Sequence, residues 1–205
     1  MHRVHKTIRK IGRVLGGIAA LAIILVIGLL IWAVFIPWLG TFVETSGGES
    51  SIDVSQLEQE TFNLINQERS KYGLAPVSWD DQVAEVAREH SKDMAQNDFF
   101  AHQNLEGQNV DGRLTEGGVS FFSCGEIILE QSVIESETTT WIFFIPITST
   151  DYKTQSELAQ IAVSGWMASS GHRAIILTSG FSEAGVGVWV DSDETTYYFT
   201  GDFIG

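Results

Sequence analysis

From Val14 to Val43 the chain runs thirty residues without a charged side chain, and Val14–Ile36 is almost wholly apolar. At about 1.5 Å of rise per residue such a run crosses a hydrocarbon core of roughly 30 Å. Only a helix can satisfy its backbone there, so a transmembrane helix is expected over 14–39. Pro37 marks its end, and Trp32, Phe35 and Trp38 sit where an interfacial aromatic belt belongs. A cleaved signal peptide is the competing reading. Its apolar core would run only about 7–15 residues before an A-x-A-like site. This run is longer, and no such site follows it.

After a short polar tether the pattern becomes that of a folded domain. Ser55, with Glu58 three residues on, reads as a capping box. Leu57, Thr61, Leu64, Ile65 and Glu68 then keep a 3.6-residue period to Tyr72, where Gly73 stops the helix. A second helix opens near Ser78–Asp81 and places Val83, Ala84, Ala87, His90, Ser91 and Met94 on one face. A third starts at Thr154 with Glu157 as reciprocal cap, carries Leu158, Ile161, Ala162, Gly165 and Trp166, and ends at residues 169–171. The C-terminus switches to β-rich runs, Ala184–Val190 and Thr195–Phe203, separated by Asp-Ser-Asp-Glu, which predicts an antiparallel hairpin. Trp141–Ile147 predicts a further strand packed in the core, with a membrane-dipping loop as the alternative. These elements predict an α+β layered domain. The expected organisation is a basic leader over 1–13, the span over 14–39, a flexible tether over 40–55 and one domain over 56–205.

Charge orients the anchor. Arg3, Lys6, Arg9, Lys10 and Arg13 precede the span with no acid among them. Of 12 basic and 26 acidic residues in the chain, 7 and 26 lie beyond it, a net of −19. The excess of positive charge stays inside, so the N-terminus is expected in the cytoplasm and the domain outside the cell membrane. So acidic a domain repels nucleic acid, which is excluded as a partner. Cys124 is the only cysteine, so no intrachain disulfide forms. It is expected to be a small buried hydrophobe, with an intermolecular disulfide as the alternative.

The chain holds no G-x-S-x-G, H-E-x-x-H, P-loop or C-x-x-C, which leaves an ordinary serine hydrolase, a zincin or a nucleotide-binding enzyme unsupported. What remains is His102 after Phe99-Phe100-Ala101, Glu126 after Gly125, and His172-Arg173 after the third helix. Two imidazoles and a carboxylate can hold a divalent ion such as zinc and leave a position open for water. Spacing alone does not bring them together, and hydrogen-bonded structural histidines are the competing reading. His90, on an apolar helix face, reads as a core histidine. Arg173 reads as satisfied by backbone carbonyls and a buried acid, with an anionic ligand as the alternative. Trp79, Trp166 and Trp189 read as core.

Taken in order, several segments resemble the CAP superfamily of cysteine-rich secretory, antigen 5 and pathogenesis-related proteins, in its short prokaryotic, cysteine-poor branch. They are Asn63-Leu64-Ile65-Asn66-Gln67-Glu68-Arg69, Gly73–Asp80, Ser91-Lys92-Asp93-Met94, Phe99-Phe100-Ala101-His102, Gly125-Glu126, Gly165–Arg173, Gly185-Val186-Gly187-Val188 and Thr200-Gly201-Asp202-Phe203. The resemblance implies an α-β-α sandwich with a cleft lined by His102, Glu126, Ser169, His172 and Arg173. Within it His102, Glu126 and His172 would be the metal ligands and Glu126 the one candidate base. Ser169 stands where eukaryotic members carry a second glutamate. Ala101, Ile127 and Ile175 replace polar neighbours of the three site residues. Hydrogen bonds behind a ligating imidazole are worth about 10–100-fold in affinity, so the expected site is weak or has become structural. The resulting expectation is a membrane-anchored extracellular binding module for an unidentified ligand or protein. A metal-dependent hydrolase and a lipid-binding surface module are the alternatives.

Overall fold

The computed structural model describes residues 52–142 and 144–205. The expected leader and transmembrane helix, and residues 40–51 of the tether, lie outside the described residues. Among the described residues no helix is long and apolar enough to cross a membrane.

Helix α1 (Val54–Lys71) starts one residue before the expected Ser55, and its N-cap is Asp53, whose side chain accepts the Gln56 N–H at 3.2 Å. The expected Ser55–Glu58 capping box does not form. Glu58 is buried and has another task, described below. Strand β1 (Ser78–Trp79) leads into α2 (Asp81–Asn97), capped by Asp80, and the six residues assigned to its inner face are all buried. The short α3 (Val110–Glu116) follows. Strand β2 (Cys124–Ser132) precedes β3 (Ile134–Ile142) and β4 (Ile145–Tyr152). Helix α4 (Gln155–Ala168) has the reciprocal Thr154–Glu157 cap read from the sequence, and α5 (Ser170–Ile176) follows it directly. The chain closes with the expected hairpin, β5 (Glu183–Val190) and β6 (Thr196–Ile204).

One sheet has the order β1-β5-β6-β2, with β1 parallel to β5 and the other pairs antiparallel. Alternation along β6 separates its two faces. Tyr197, Phe199 and Phe203 join α1 and α4 residues Leu57, Ile65 and Trp166 in the main core. Tyr198 and Ile204 pack on the opposite side with Met94 and Val83 of α2 and Leu114 of α3. The domain is therefore helices over both faces of one sheet, an α+β sandwich. Helix α2 lies close because β5 offers it Gly185 and Gly187; a Cβ at either would overlap the backbone of Ala84 or Arg88.

Two buried polar residues tie these layers. Strand β1 pairs only with Glu183 and Ala184, leaving the rest of that β5 edge open. Glu58 reaches it, accepting from the Val188 N–H at 3.0 Å and from Arg88 Nε and Nη2 at 2.9 Å each. Arg69, buried on α1, donates to the carbonyls of Ala75, Ile176, Thr178 and Phe181, fixing the chain between α5 and β5.

Other expectations change. Trp141–Ile147 is not a core strand: it spans the tip of the separate β3–β4 hairpin, where Trp141, Phe144 and Ile145 are exposed. Cys124 is half-buried rather than buried, at the edge of the α2–α3 cluster. Trp166 is core as expected, and half-buried Trp79 packs against the main core beside Phe62, whereas Trp189 is half-buried under the Lys92 ammonium at 5.3 Å.

Candidate functional site

Helix α2 ends at Asp98, whose left-handed conformation (φ 54°) turns the chain into the loop carrying His102. That loop is pinned twice. His90 Nε2 donates to the Ala101 carbonyl at 2.9 Å, and Arg113 Nη1 donates to the His102 carbonyl at 3.0 Å. Glu126 rises from β2, and Gly125 before it lets the strand pass close under α5: a Cβ there would sit 3.1 Å from Ile175 and from Phe181. His172 stands in the first turn of α5, because Ser169 ends α4 and begins α5 in one residue. The two histidine rings meet edge to face, with centroids 5.9 Å apart.

Glu126 is the hub of this arrangement. Its side chain is 3% exposed; Oε1 accepts a hydrogen bond from the His102 Nδ1–H at 2.7 Å, and Oε2 accepts from Arg113 Nη2. His90 Nε2 lies 3.8 Å from Oε2. Because a carboxylate only accepts, Nδ1 of His102 carries the proton of this bond, and Nε2 faces away from Glu126. Opposite Glu126 in the β2–β6 register is Asp202, fully buried. Among the described residues, neither Asp202 oxygen has a hydrogen-bond partner. Burial, and then the Glu126 charge, push its carboxyl well above the carboxylate range, with Arg113 pulling the other way.

Burial also lowers both inner imidazoles. His172 falls through desolvation and the nearby His102, with Glu126 opposing. His90 falls through desolvation first, opposed by Glu126. Burial thus favours the neutral form of His172 beside His102, and imidazole nitrogens suit a borderline metal ion.

The donor set fits a metal only in part. His102 and His172 are available, but both Glu126 oxygens are engaged behind His102, the place of a supporting carboxylate rather than of a ligand. Among the described residues, no three histidine, cysteine or acidic side chains are grouped to hold a metal ion. Ser169 is half-buried at the α4–α5 junction. Arg173 is exposed and, among the described residues, makes neither of the internal contacts expected of it; Arg69 and Arg113 fill that role. A cavity of about 680 Å³ lies on the other flank of His90 and Arg113, walled by Glu89, Asp93, Glu106 and Glu116, and neither His102 nor His172 lines it.

His90 was legible as a core histidine but not as a neighbour of Glu126. Arg113 was missed entirely. Val110, Arg113 and Leu114 at helical spacing before Gly117-Gly118 mark α3, and the basic residue on its buried face was the available signal.

The family model described as the cysteine-rich secretory protein family (CAP) matches residues 62–203. The uncharacterized membrane protein YlbC of Bacillus subtilis is 33% identical over 147 residues, 72% of this chain and 34% of the relative. The uncharacterized protein YkwD of the same organism is 31% identical over 152 residues, 74% of this chain and 48% of the relative. The chain thus spans between a third and a half of these relatives' lengths. A crystal structure of an extracellular protein containing an SCP domain from Bacillus anthracis is 31% identical, with a TM-score of 0.56 over 73% of this chain and 40% of that one. An outer surface protein of Borrelia burgdorferi, 18% identical, shares the fold with a TM-score of 0.56 over 75% of this chain and 95% of that one. With its family signature running through almost the whole described domain, this chain belongs to the cysteine-rich secretory protein (CAP) family.

Proposed function

We propose that this chain is a membrane-anchored, extracellular CAP binding module whose rim histidines, His102 and His172, bind an external ligand and weakly hold a divalent ion such as zinc. The observation that carries this reading is the commitment of Glu126. Hydrolysis through Glu126 needs that carboxylate free to take a proton from water or to ligate a metal. Glu126 is buried, with one oxygen on Arg113 and the other on His102. What it supplies is orientation: it fixes the His102 tautomer and turns Nε2 outward. This favours binding over hydrolysis by the same residues.

The uncharged run over 14–43 and the basic leader support a single-pass anchor with a cytoplasmic N-terminus. Relatives described as a membrane protein and as an extracellular protein agree with that placement. Calorimetric titration of zinc into the compact unit Glu49–Gly205 tests the site. Weak binding is expected, lost in both His102→Ala and His172→Ala. No heat in the unsubstituted domain would remove the metal from the proposal. Zinc-dependent ester or peptide hydrolysis that disappears in His102→Ala would replace the binding reading with the hydrolase.

A further inference from the structure

The β3–β4 hairpin forms a sheet of its own, apart from the main sheet, and the described apolar residues next to its turn are exposed. Trp141 is 68% exposed, Phe144 96% and Ile145 63%. Phe144 has φ 68°, the left-handed region that bulky residues avoid, and it gains no packing in return. Between Glu137 and Asp151 there are thirteen residues and no charge. The arms behind the tip are polar and paired, with Thr139 facing Thr148 at 3.2 Å and Ser136 donating to Asp151 at 3.0 Å. The base is tied by Lys153 Nζ, which donates to the carbonyls of Ser132 and Ile134. A polar stem thus holds out an uncharged aromatic end.

We infer that this tip inserts into the outer leaflet of the bilayer that holds the chain's own anchor, an inference that rests on the anchor proposed above. Only residues 44–53 separate the uncharged run from α1, a reach of at most about 35 Å even when extended, so a bilayer is the surface always close to the domain. An interfacial element sinks about 5–10 Å to the headgroup–acyl boundary. Glu137 and Asp151 stand five and six residues behind the strand ends, about 17–20 Å at a strand's rise per residue. The tip therefore immerses while the acids stay in water, and a tryptophan at its shoulder suits the interface. A projecting end exposed in this way offers a protein partner no groove, whereas a bilayer needs none. The strongly acidic domain disfavours anionic headgroups, so the contact is apolar and favours zwitterionic lipid.

The test uses the full chain with Cys124→Ala and Ile145→Cys, labelled with an environment-sensitive fluorophore and reconstituted into phosphatidylcholine vesicles. A label at Asp193→Cys, in the exposed β5–β6 turn, is the comparison. Nitroxides on the acyl chains are expected to quench the 145 label several-fold more than the 193 label, with aqueous iodide showing the reverse order. Adding Phe144→Glu should abolish the difference. Equal quenching of the two labels on a chain that floats with the vesicles overturns the hairpin contact and leaves the anchor standing. Protection from iodide without lipid quenching assigns the tip to a second copy and also overturns it. A chain that does not float overturns both.

Discussion

Glu126 and Arg113 place a carboxylate and a guanidinium in the interior between β2 and α3, and each is costly there without the other. Arg113→Ala leaves Glu126 beside the buried Asp202 with no cation, so a loss of about 3–5 kcal/mol is expected, the range for breaking a buried pair. Guanidinium unfolding at constant m-value measures it. The other buried titratable groups give stability a pH profile whose sign can be worked out. His90 and His172 are held below the ordinary imidazole value of 6.5. As pH falls through that value the unfolded chain takes up protons that the folded one refuses, and stability is lost until the lower folded values are passed. Asp202 acts oppositely: its raised value costs stability as pH rises above 3.8. Asp202→Asn, which stays neutral, should therefore gain on the unsubstituted protein in melting temperature between pH 4 and 7. A difference constant with pH would show that Asp202 is not buried as an acid. Of these residues, His102, Glu126 and His172 stood out in the sequence because each follows a recognisable segment. Arg113 and Asp202 did not, because their role exists only across a strand register and a helix face that the linear order does not show.

Elements were read most reliably where one periodicity governed them. Helix α2 has a single buried face, and all six residues expected on it are buried; the β5–β6 hairpin has unbroken β-rich arms around a polar turn, and its strand boundaries fall within a residue of those expected. Helix α1 shows how a local signal misleads. Ser55 and Glu58 satisfy the spacing of a capping box, yet Asp53 caps the helix and Glu58 serves the open edge of β5. Asp53→Ala is expected to cost about 1 kcal/mol, the usual worth of an N-cap, and Ser55→Ala only a few tenths; paired thermal melts distinguish them, and the reverse order would restore the box. Trp141–Ile147 was misread for a related reason. An apolar run bounded by polar residues is usually core, but a hairpin tip carries the same pattern, and only the turn at Phe144 reveals it.

At the scale of the molecule, the α+β sandwich and the family were both legible, because the spacing of segments survives where single positions have drifted. The site was legible as a set of residues but not as a division of labour. Sequence offered three equal ligands; the fold makes one of them a buried strut for another. That division follows from layering. The main sheet carries Glu126 in its interior, the loop after α2 and the short α5 carry the two histidines at the rim, and Arg113 of α3 closes the carboxylate from the far side. The measurement that reaches this most directly is long-range ¹H–¹⁵N correlation of the imidazoles in the domain at neutral pH. His102 is expected as the Nδ1–H tautomer with Nε2 unprotonated, and zinc should move the Nε2 resonance while Nδ1 keeps its proton. An Nε2–H tautomer, or zinc arriving at Nδ1 with loss of the Glu126 bond, would show that Glu126 belongs to the ligand set and that the strut does not exist.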